Sequence, residues 1–369
     1  MRRRPEAHSY QTTIQRGCCV PFSRFSCDSS GLAGVNPIWR KSVTQRILIT
    51  GGAGFIGSHL AESLLQRGDA VYILDNESTG TRANIEHLFS NRQLHFLPGS
   101  IMDEAVISRL VGTCHYVVHL AAAVGVQYIL DNPLESILTN VVGTERVLNA
   151  CRDFEKPLFL ASTSEVYGLQ THAPLKENDY CVLGATSVSR WSYACSKALD
   201  EFMALAYHQK QAFPVTIGRF FNTVGPRQSP AYGMVLPRLV DQALQNQPLT
   251  VYGDGRQTRT FTHILDAVQA ITLLMDHPKT AGDVYNIGGT EETSILALAQ
   301  RVLEITGSAS SIKLIPYNEV FNKNFEDMPR RVPDTGKLRA TTGFAPQSDL
   351  NKMIADVIAD RRCKLSTAK

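Results

Sequence analysis

A series of short apolar segments, separated by amphipathic stretches, begins at residue 46 and constrains the fold of this chain more than any other feature. The segments lie at 46–50, 70–74, 94–97, 116–120, 158–161 and 215–218. Each is apolar over most of its length instead of alternating, which is typical of strands buried on both faces of a parallel sheet. The strand–helix–strand order predicts a doubly wound α/β fold, because helices must cover both faces of such a sheet.

The regular series weakens after Phe221, where glycines and prolines crowd the chain. Helical patterns at 264–276, 294–306 and 350–360 then alternate with short strand patterns at 249–252 and 284–287. These patterns predict a smaller C-terminal α/β lobe. We therefore predict a first domain over 46–224 and a second lobe over 225–369, with an exchange of segments between the two left open.

The segment before the first strand differs in charge from the rest of the chain. Residues 1–46 carry eight basic and two acidic side chains, which leaves −3 for the remainder of a chain whose net charge is +3. The folded part therefore gives no reason to expect a nucleic acid as partner. The Arg-rich residues 1–45 fit either a disordered extension or an organellar transit peptide, and they lack the apolar centre of a secretory signal.

Composition excludes several other classes of protein. An apolar share of 43% with 19% charged residues is typical of a globular chain. No stretch reaches the ~18 apolar residues that a membrane-spanning helix needs, so we expect a soluble protein without a membrane partner. The eight cysteines show neither a CxxC pair nor a nearby histidine at ligand spacing. We expect reduced thiols, a cytoplasmic location and no metal site.

A glycine-rich turn follows the first predicted strand. It contains Gly51, Gly54 and Gly57, with Phe55 and Ile56 between the last two. Glycines at this spacing let the backbone turn tightly and approach a pyrophosphate, whose charge the N-terminus of the next helix stabilises. The turn lies between a predicted strand and a predicted helix, which is the context that the motif requires. It predicts a dinucleotide site in a Rossmann-type domain.

An acidic residue, Asp75, ends the second predicted strand, 24 positions after Gly51. A carboxylate there can accept hydrogen bonds from the ribose hydroxyls of the adenosine, and it repels a 2′-phosphate. Asp75 therefore favours NAD over NADP.

Thr163 follows the fifth predicted strand, and thirty residues later Tyr193 and Lys197 open a predicted helix. Residues four apart share one helical face. Because an ammonium group near a phenol favours the phenolate, we expect Lys197 to lower the pKa of Tyr193. Tyr193 could then act as a base near neutral pH.

Over about residues 46–360 the chain resembles the extended short-chain dehydrogenases/reductases that modify nucleotide sugars. The motifs that carry the resemblance are TGGAGFIGSHL (50–60), HLAA (119–122), STSEVYG (162–168), YACSK (193–197), RFFNTVGPRQ (219–228), LTVYGDGRQTRTF (249–261) and RRVPD (330–334). The resemblance implies NAD as cofactor, a UDP-sugar or another nucleotide sugar as substrate, and a homodimer. Ser100 departs from the family pattern, which usually has an Asp near the adenine.

The resemblance also implies roles for single positions. Thr163, Tyr193 and Lys197 match the oxidation triad, in which Tyr193 takes the proton of the sugar C4 hydroxyl as hydride passes to NAD⁺. Asn222 matches a substrate contact, and Arg259 and Arg331 match residues that hold the diphosphate, for which a guanidinium fork is well suited. Cofactor contacts are implied for Gly51, Gly54, Phe55, Ile56, Gly57, Asp75, Asn76, Ala121, Tyr193 and Lys197.

Glu165 separates the possible reactions. The run 163–165 and the run 190–193 are similar to those of UDP-glucuronate decarboxylases of the UDP-xylose and UDP-apiose synthase type, whereas the run 122–126 resembles that of epimerases. We predict decarboxylation of UDP-glucuronate to a UDP-pentose through a 4-keto sugar, with Glu165 as a catalytic residue. The alternatives are a 4-epimerase or 4,6-dehydratase, in which Glu165 is an acid/base at C5 or a spectator, and a non-catalytic NAD-binding protein. As a purely structural residue, Glu165 would be a carboxylate bound by local backbone N–H groups.

Overall fold

The computed structural model of this protein describes residues 44–231, 233–320 and 326–367. Residues 1–43 of the predicted N-terminal extension lie outside the described residues, and so do the predictions made for them. No helix in the described ranges combines the length and the apolarity that are needed to cross a bilayer.

The described residues form strands and helices in regular alternation. The strands are β1 (Arg46–Thr50), β2 (Ala70–Asp75), β3 (Leu94–Pro98), β4 (Tyr116–His119), β5 (Leu158–Thr163), β6 (Val215–Phe220), β7 (Thr223–Val224), β8 (Leu249–Tyr252), β9 (Thr258–Thr260), β10 (Thr262–His263), β11 (Asp283–Ile287), β12 (Glu292–Ser294), β13 (Ile312–Ile315) and β14 (Arg330–Arg331). The helices are α1 (Phe55–Arg67), α2 (Glu104–Thr113), α3 (Val126–Asp131), α4 (Pro133–Asp153), α5 (Trp191–Gln211), α6 (Val235–Leu244), α7 (Ile264–Asp276), α8 (Ile295–Thr306), α9 (Tyr317–Val320), α10 (Gly336–Thr342) and α11 (Leu350–Thr367). Single 3₁₀ turns lie at Arg82–Asn84, Glu86–Leu88 and Ser164–Tyr167.

Seven parallel strands form the main sheet, in the order β3-β2-β1-β4-β5-β6-β11. The strand order reverses between β1 and β4. In a doubly wound sheet ligands bind at such a reversal, at the carboxyl ends of the strands. The predicted doubly wound, Rossmann-type α/β fold is confirmed.

Strand β1 shows why the predicted strands are apolar along their whole length. Ile47 and Ile49 point into a core that includes α1 and α7, while Leu48 points into a second core that includes α2, α4 and α5. Successive side chains of a strand point to opposite faces, so a sheet covered on both faces needs apolar residues at every position. Full burial of each of these side chains contributes about 1.5–3 kcal/mol to folding.

Strand β11 and helix α7 lie within residues 225–369 of the sequence but pack with the elements of the first part of the chain. Strand β11 pairs with β6 along the main sheet, and α7 packs against α1. The sequence left such an exchange of segments open. Strand β6 is buried along its whole length and would otherwise present an unpaired edge. Because the pairing joins segments more than 60 residues apart, no local pattern could have indicated it.

The remaining C-terminal elements form a lobe with its own core, in which α6, α8 and α11 pack around β8. Strand β13 pairs with β8, and β9 lies between β12 and β14. The register between β9 and β14 places Arg331 opposite Arg259. The lobe thus brings the two predicted substrate-binding arginines side by side.

Candidate functional site

A cavity of about 1030 Å³ lies at the carboxyl ends of the main strands and extends to the C-terminal lobe. Every residue that the sequence analysis assigned to the cofactor, the chemistry or the substrate lines this cavity. These residues are Gly51, Gly54, Phe55, Ile56, Gly57, Asp75, Asn76, Ala121, Thr163, Glu165, Tyr193, Lys197, Asn222, Arg259 and Arg331.

The glycine-rich turn forms one end of the cavity, and backbone contacts determine its shape. Gly51 has a φ of +74°, and a Cβ there would lie 2.8 Å from the backbone nitrogen of Ala121. A Cβ on Gly57 would overlap the carbonyl oxygen of Gly51. Helix α1 begins directly after Gly54 with no side chain capping its free N–H groups. Those N–H groups are available to an anionic ligand.

Asp75 lies at the end of β2, buried against the same turn. Its Oδ2 accepts a hydrogen bond from the Ala53 N–H at 2.9 Å, and its Oδ1 accepts one from the Glu77 N–H at 2.7 Å. Burial raises the pKa of Asp75, although these N–H donors oppose the change. The carboxylate therefore stabilises the glycine turn through these hydrogen bonds, and it also lines the cavity. The neighbouring Asn76 is exposed at the cavity wall.

Ser100, the departure from the family pattern, also lines the cavity. Its hydroxyl accepts a hydrogen bond from the Met102 N–H at 3.1 Å. The side chain thus closes a local turn at the start of the segment that leads to α2.

The predicted oxidation triad meets at the centre of the cavity. Thr163 ends β5, and the interaction of its hydroxyl with that of Tyr193 on α5 lowers the pKa of Tyr193. Lys197, one helical turn further along α5, donates to Asp200 Oδ2 at 2.8 Å.

The direction of the pKa shift of Tyr193 corrects our expectation. Burial raises the pKa of Tyr193, and the carboxylates of Glu165 and Asp200 raise it further. We expected Lys197 to lower it. The physical reason for the difference is that the Lys197 ammonium is neutralised by its own ion pair with Asp200, while desolvation favours the neutral phenol.

Glu165 lies in the 3₁₀ turn after β5, bound by arginine side chains and not by the backbone. Its Oε2 accepts from Arg190 Nη2 at 3.2 Å, and its Oε1 is paired with Arg331 Nη1. Burial raises the pKa of Glu165, but Arg190 and then Arg331 outweigh it and lower the pKa to about 2. Glu165 is therefore an ionised carboxylate at neutral pH. Because its oxygens pair with Arg190 and Arg331, the interpretation in which local backbone N–H groups bind it is wrong.

The predicted substrate residues belong to the same cluster of charged groups. Arg331 Nη2 donates to Asn222 Oδ1, and Asn222 Nδ2 donates to the Thr260 carbonyl at 2.8 Å. Arg259 pairs with Asp327 at 3.0 Å. Glu165 and Arg331 are thus in direct contact, and Arg259 is paired with Asp327 nearby.

The sequence analysis missed two members of this cluster as site residues. Arg190, at the start of α5, bridges Glu165 and Asp327, the latter at 3.3 Å. Asp327 also accepts from the Tyr317 hydroxyl at 2.9 Å. Arg190 stood in a quoted motif and could have been assigned. Asp327 lies in an irregular segment with no motif of its own, so only its contacts identify it.

Several polar atoms of residues that line the cavity are buried without a hydrogen-bond partner among the described residues. They are Thr223 Oγ1, Arg227 Nη1, Gln228 Oε1 and Arg331 Nε. Buried polar groups are nearly always hydrogen-bonded. Unpaired donors and acceptors on the residues that line one cavity favour a polar ligand.

Comparison with known proteins agrees with this geometry. The protein-family description "GDP-mannose 4,6 dehydratase" matches residues 48–357. A UDP-N-acetyl-alpha-D-glucosaminuronate decarboxylase from Bacillus cytotoxicus is 44% identical over 315 residues, which cover 85% of this chain and 97% of that protein. UDP-glucuronic acid decarboxylase 1 from Arabidopsis thaliana is 32% identical over 348 residues, 94% of this chain and 77% of that protein.

A solved structure shares the architecture. It is a UDP-glucuronic acid 4-epimerase from Bacillus cereus in complex with UDP-glucuronic acid and NAD, 29% identical, with a TM-score of 0.78 over 87% of this chain and 99% of that one. The resemblance stated from the motifs is confirmed. This chain belongs to the GDP-mannose 4,6-dehydratase family of extended short-chain dehydrogenases/reductases.

Proposed function

We propose that this protein is an NAD-dependent decarboxylase of UDP-hexuronates that works through a 4-keto sugar. The observation that carries the proposal is the ionised carboxylate of Glu165, held between Arg190 and Arg331 in the cavity that Tyr193 also lines. A 4-epimerase needs only that the ketone turn over and be reduced again. Decarboxylation needs charged groups that act on a carboxylate at C5 after the ketone has formed.

The net charge of the sugar-side cluster supports an anionic substrate. Arg190, Arg259 and Arg331 contribute three positive charges, and Glu165 and Asp327 contribute two negative ones. All of these groups are largely buried, where an uncompensated charge is costly. A nucleotide diphosphate attached to a uronate supplies the negative charge that this cluster lacks.

The cofactor end of the cavity fits NAD. The cradle formed by Gly51 and Gly57 has no room for a Cβ, the N–H groups of α1 are uncapped, and Asp75 ends β2. We propose that Asp75 and Asn76 hold the adenosine ribose and that Tyr193 and Lys197 contact the nicotinamide half. When bound, NAD⁺ supplies the oxidant for the sugar C4 carbon, the later reductant, and a positive charge near the phenol.

We propose that Tyr193 removes the proton of the C4 hydroxyl, with Thr163 hydrogen-bonded to it to orient the reacting oxygens. The raised pKa means that Tyr193 is a phenol at rest and needs a cation beside it to become a base at neutral pH. Once the 4-ketone exists, the C5–C6 bond can break with its electron pair delocalised into the carbonyl, and CO₂ leaves. The resulting enolate then takes a proton at C5, and return of the hydride to C4 gives the pentose. Glu165, ionised throughout, disfavours a second carboxylate beside it and so favours that loss.

The nature of the 2-substituent is the open specificity question. The sequence analysis favoured UDP-glucuronate, while the relative that is 44% identical is named for an N-acetylglucosaminuronate. We therefore propose the class of UDP-hexuronates, and within it we rank the 2-acetamido sugar beside glucuronate.

A substrate panel tests the proposal. The purified full chain is incubated with NAD⁺ and, in turn, with UDP-glucuronate, UDP-N-acetylglucosaminuronate, UDP-glucose and dTDP-glucose, and the product masses are measured. We expect one uronate to lose CO₂ and the neutral sugars to give no product. A uronate product of unchanged mass would favour the epimerase, and loss of water from dTDP-glucose would favour the dehydratase.

We also propose a homodimer, in which α4 and α5 pair with the same helices of a second copy. These two helices pack against each other and leave a shared apolar face in the solvent. It is formed by Leu134, Ile137 and Leu138 of α4 and by Leu199 and Phe202 of α5, with Leu134 and Phe202 each 68% exposed. An apolar face of this kind is typical of an interface between subunits.

A charge on the apolar face tests the dimer. Phe202→Glu should convert the dimer to a monomer in sedimentation experiments. Leu265→Glu, at an exposed apolar position on α7, is the matched control and should leave the dimer intact. A wild-type chain that sediments as a monomer would contradict the proposal.

We further propose that the protein works in the cytoplasm. The cysteines of the described part of the chain, at positions 114, 151, 181, 195 and 363, are all free thiols, as in a reducing compartment. Imaging of the full chain carrying a C-terminal tag tests this, and import into an organelle would contradict it.

A further inference from the structure

A chain of buried polar side chains runs from the glycine-rich turn to the catalytic lysine. We propose that Asp200 is a positioning residue for the reaction: its carboxylate fixes the amine of Lys197 and ties it, through Thr144 and His119, to the strand ends that wall the cofactor pocket. The proposal rests on the assignment of Tyr193 and Lys197 to the chemistry, and it is independent of which nucleotide sugar is the substrate.

The contacts of this chain join four elements of the Rossmann-type domain. Asp200 Oδ2 accepts from Lys197 Nζ at 2.8 Å and from the Thr144 hydroxyl at 3.2 Å. Thr144 Oγ1 lies 3.1 Å from His119 Nε2, and His119 Nδ1 lies 2.6 Å from Thr50 Oγ1. Each of these five residues is 3% exposed or less. The chain is therefore shielded from water along its whole length.

The chemistry of the donors determines where each proton lies. The Thr144 hydroxyl has one proton and donates it to the Asp200 carboxylate, so its oxygen must accept from His119 Nε2–H. Burial and then Lys197 lower the pKa of His119 to about 3, so the ring is neutral and its Nδ1 accepts from the Thr50 hydroxyl. The hydrogen bonds from Thr50 to Asp200 therefore all run in one direction, with one arrangement of protons. This arrangement holds the Lys197 amine in one place.

The first link of the chain reaches the cofactor pocket. Thr50 precedes Gly51, and its Oγ1 lies 3.4 Å from the Ala121 N–H. Gly51 and Ala121 both line the cavity, whereas Asp200 lies behind Lys197 and is fully buried. Asp200 can therefore act on the reaction only through the groups that it holds.

One feature of Asp200 sets it apart from an ordinary buried ion pair. Its Oδ1 has no hydrogen-bond partner in the described part of the chain. A buried carboxylate oxygen without a donor is rare in folded proteins and calls for a reason. Among the described residues, Lys197 and Thr144 alone therefore set the orientation of the carboxylate. Burial raises the pKa of Asp200, and these two partners oppose the change.

The charged groups around Asp200 leave Lys197 as its single cationic partner among the described residues. The adjacent Glu201 is itself paired with Arg219 of β6 at 2.6 Å. His119, which faces Asp200 from β4 through Thr144, is neutral. A substitution of Asp200 therefore changes the charge felt by Lys197 and by the active site without disturbing another ion pair.

The charged and polar groups that face Tyr193 make the effect of an Asp200 substitution on the pKa of Tyr193 measurable. Glu165 and Asp200 both raise the pKa of Tyr193, while the hydrogen bond of Thr163 and the charge of Arg331 lower it. Removal of the Asp200 charge leaves the other three in place. The pKa of Tyr193 should then fall.

The test compares Asp200→Asn with the wild type in the NAD-loaded protein. The ionisation of Tyr193 is followed by phenolate absorbance, and the part of the signal that Tyr193→Phe lacks is assigned to Tyr193. The midpoint of this titration should move to lower pH by about one unit in Asp200→Asn. The acid limb of the kcat/KM profile should move with it. We expect kcat to fall about tenfold and KM for the nucleotide sugar to change less than about twofold, because Asp200 does not touch the substrate.

Two further variants separate charge from structure. Asp200→Glu keeps the charge and should restore the wild-type titration of Tyr193. Thr144→Val keeps the Asp200 charge but removes one of its two donors, so kcat should fall with no shift of the pH profile. It also serves as the test if Asp200→Asn does not fold.

Clear outcomes would overturn the proposal. These are an unshifted Tyr193 titration in Asp200→Asn, an unrestored titration in Asp200→Glu, or an unchanged kcat in Thr144→Val. Failure of the proposed decarboxylation would look different. It would appear as a wild-type enzyme that releases no CO₂ while the Tyr193 titration still depends on Asp200.

Discussion

The two ends of the cavity differ in the groups that line them: backbone atoms at one end and charged side chains at the other. The cofactor end is made of backbone from one short segment, with Gly51 and Gly57 leaving no room for a Cβ and α1 presenting uncapped N–H groups. The sugar end is made of long charged side chains that come from positions as far apart as Glu165 and Arg331. The difference shows how a common scaffold can hold one cofactor while the side chains opposite it determine which sugar reacts and how.

Because of this difference, the two ends should tolerate different kinds of amino-acid substitution. A backbone cradle is altered mainly by substitutions that add atoms to it. A cluster of paired charges is altered by the loss of any member, because the partner is left buried and uncompensated. Substitutions at the sugar end should therefore change the outcome of the reaction, and those at the cofactor end should change NAD binding.

Tyr193→Phe should have the largest effect, since Tyr193 serves both ends. The variant keeps the ring and loses only the transferable proton, so kcat should fall about a thousandfold while NAD and UDP-sugar still bind. Steady-state kinetics with calorimetric binding measurements check this. Retention of more than about a tenth of the wild-type kcat, a barrier change under ~1.4 kcal/mol, would remove Tyr193 from the role of base.

Glu165→Gln should act at the sugar end alone. The amide cannot pair with Arg190 and Arg331 as the carboxylate does, and we expect CO₂ release to slow by about a hundredfold while the initial reduction of NAD⁺ survives. The 4-keto acid should accumulate and be visible by mass. Glu292→Gln breaks an Arg–Glu pair at the surface, with Arg330, and is the matched control with unchanged turnover. Equal loss of both steps in Glu165→Gln would contradict the division between the two ends.

Gly57→Ala should act at the cofactor end alone. The added methyl group would overlap the Gly51 carbonyl, and overpacking of about 1–3 kcal/mol corresponds to a loss of NAD affinity of roughly fivefold to a hundredfold. Gly112→Ala, in the exposed part of α2, adds the same atom beside the movable ring of Phe154 and should leave NAD binding unchanged. Should Gly57→Ala instead alter the product and spare NAD affinity, the comparison would fail.

The last prediction concerns the stability of the fold at acid pH, where groups at the two ends begin to titrate at different pH values. The pKa of His119, behind the cofactor end, is lowered by burial to about 3 from 6.5, so the unfolded chain binds the proton first. Stability should therefore fall as pH drops from 6.5 towards 3, with a slope of about 1.4 kcal/mol per pH unit from this group. The pKa of Glu165 is lowered to about 2 from 4.5, so its contribution is present above 4.5 and is lost only below that value.

Chemical denaturation of His119→Gln across this range checks the assignment. The slope between pH 6.5 and 4.5 should become shallower, while the part due to His59, whose pKa burial lowers to about 4, should remain. An unchanged slope would mean that His119 is not the neutral link that its contacts require.

The sequence predicted the parts of the molecule that are local. The strand and helix at β1 and α1, with Gly68 in the left-handed conformation at the helix end, are encoded within one run of residues. The same holds for the position of Tyr193 one turn before Lys197. Local patterns suffice there because period, glycine spacing and helix geometry are properties of adjacent residues.

The parts that the sequence could not predict depend on long-range pairing. Strand β11 joins the main sheet because β6 has an edge to cover, and Asp327 enters the site through contacts with Arg190 and Arg259. The pKa of Tyr193 was expected to fall because only Lys197 was considered. Its rise comes from burial and from carboxylates that folding brings close, which spacing along the chain does not reveal.

The most direct test of the account follows the carboxyl carbon of the substrate. UDP-glucuronate and UDP-N-acetylglucosaminuronate, each labelled at C6, are given to the wild-type protein with NAD⁺, and labelled CO₂ and product mass are measured together. We expect the label to leave as CO₂ from at least one of them and Tyr193→Phe to release none. A labelled product of unchanged mass, epimerised at C4 with no CO₂, would contradict it.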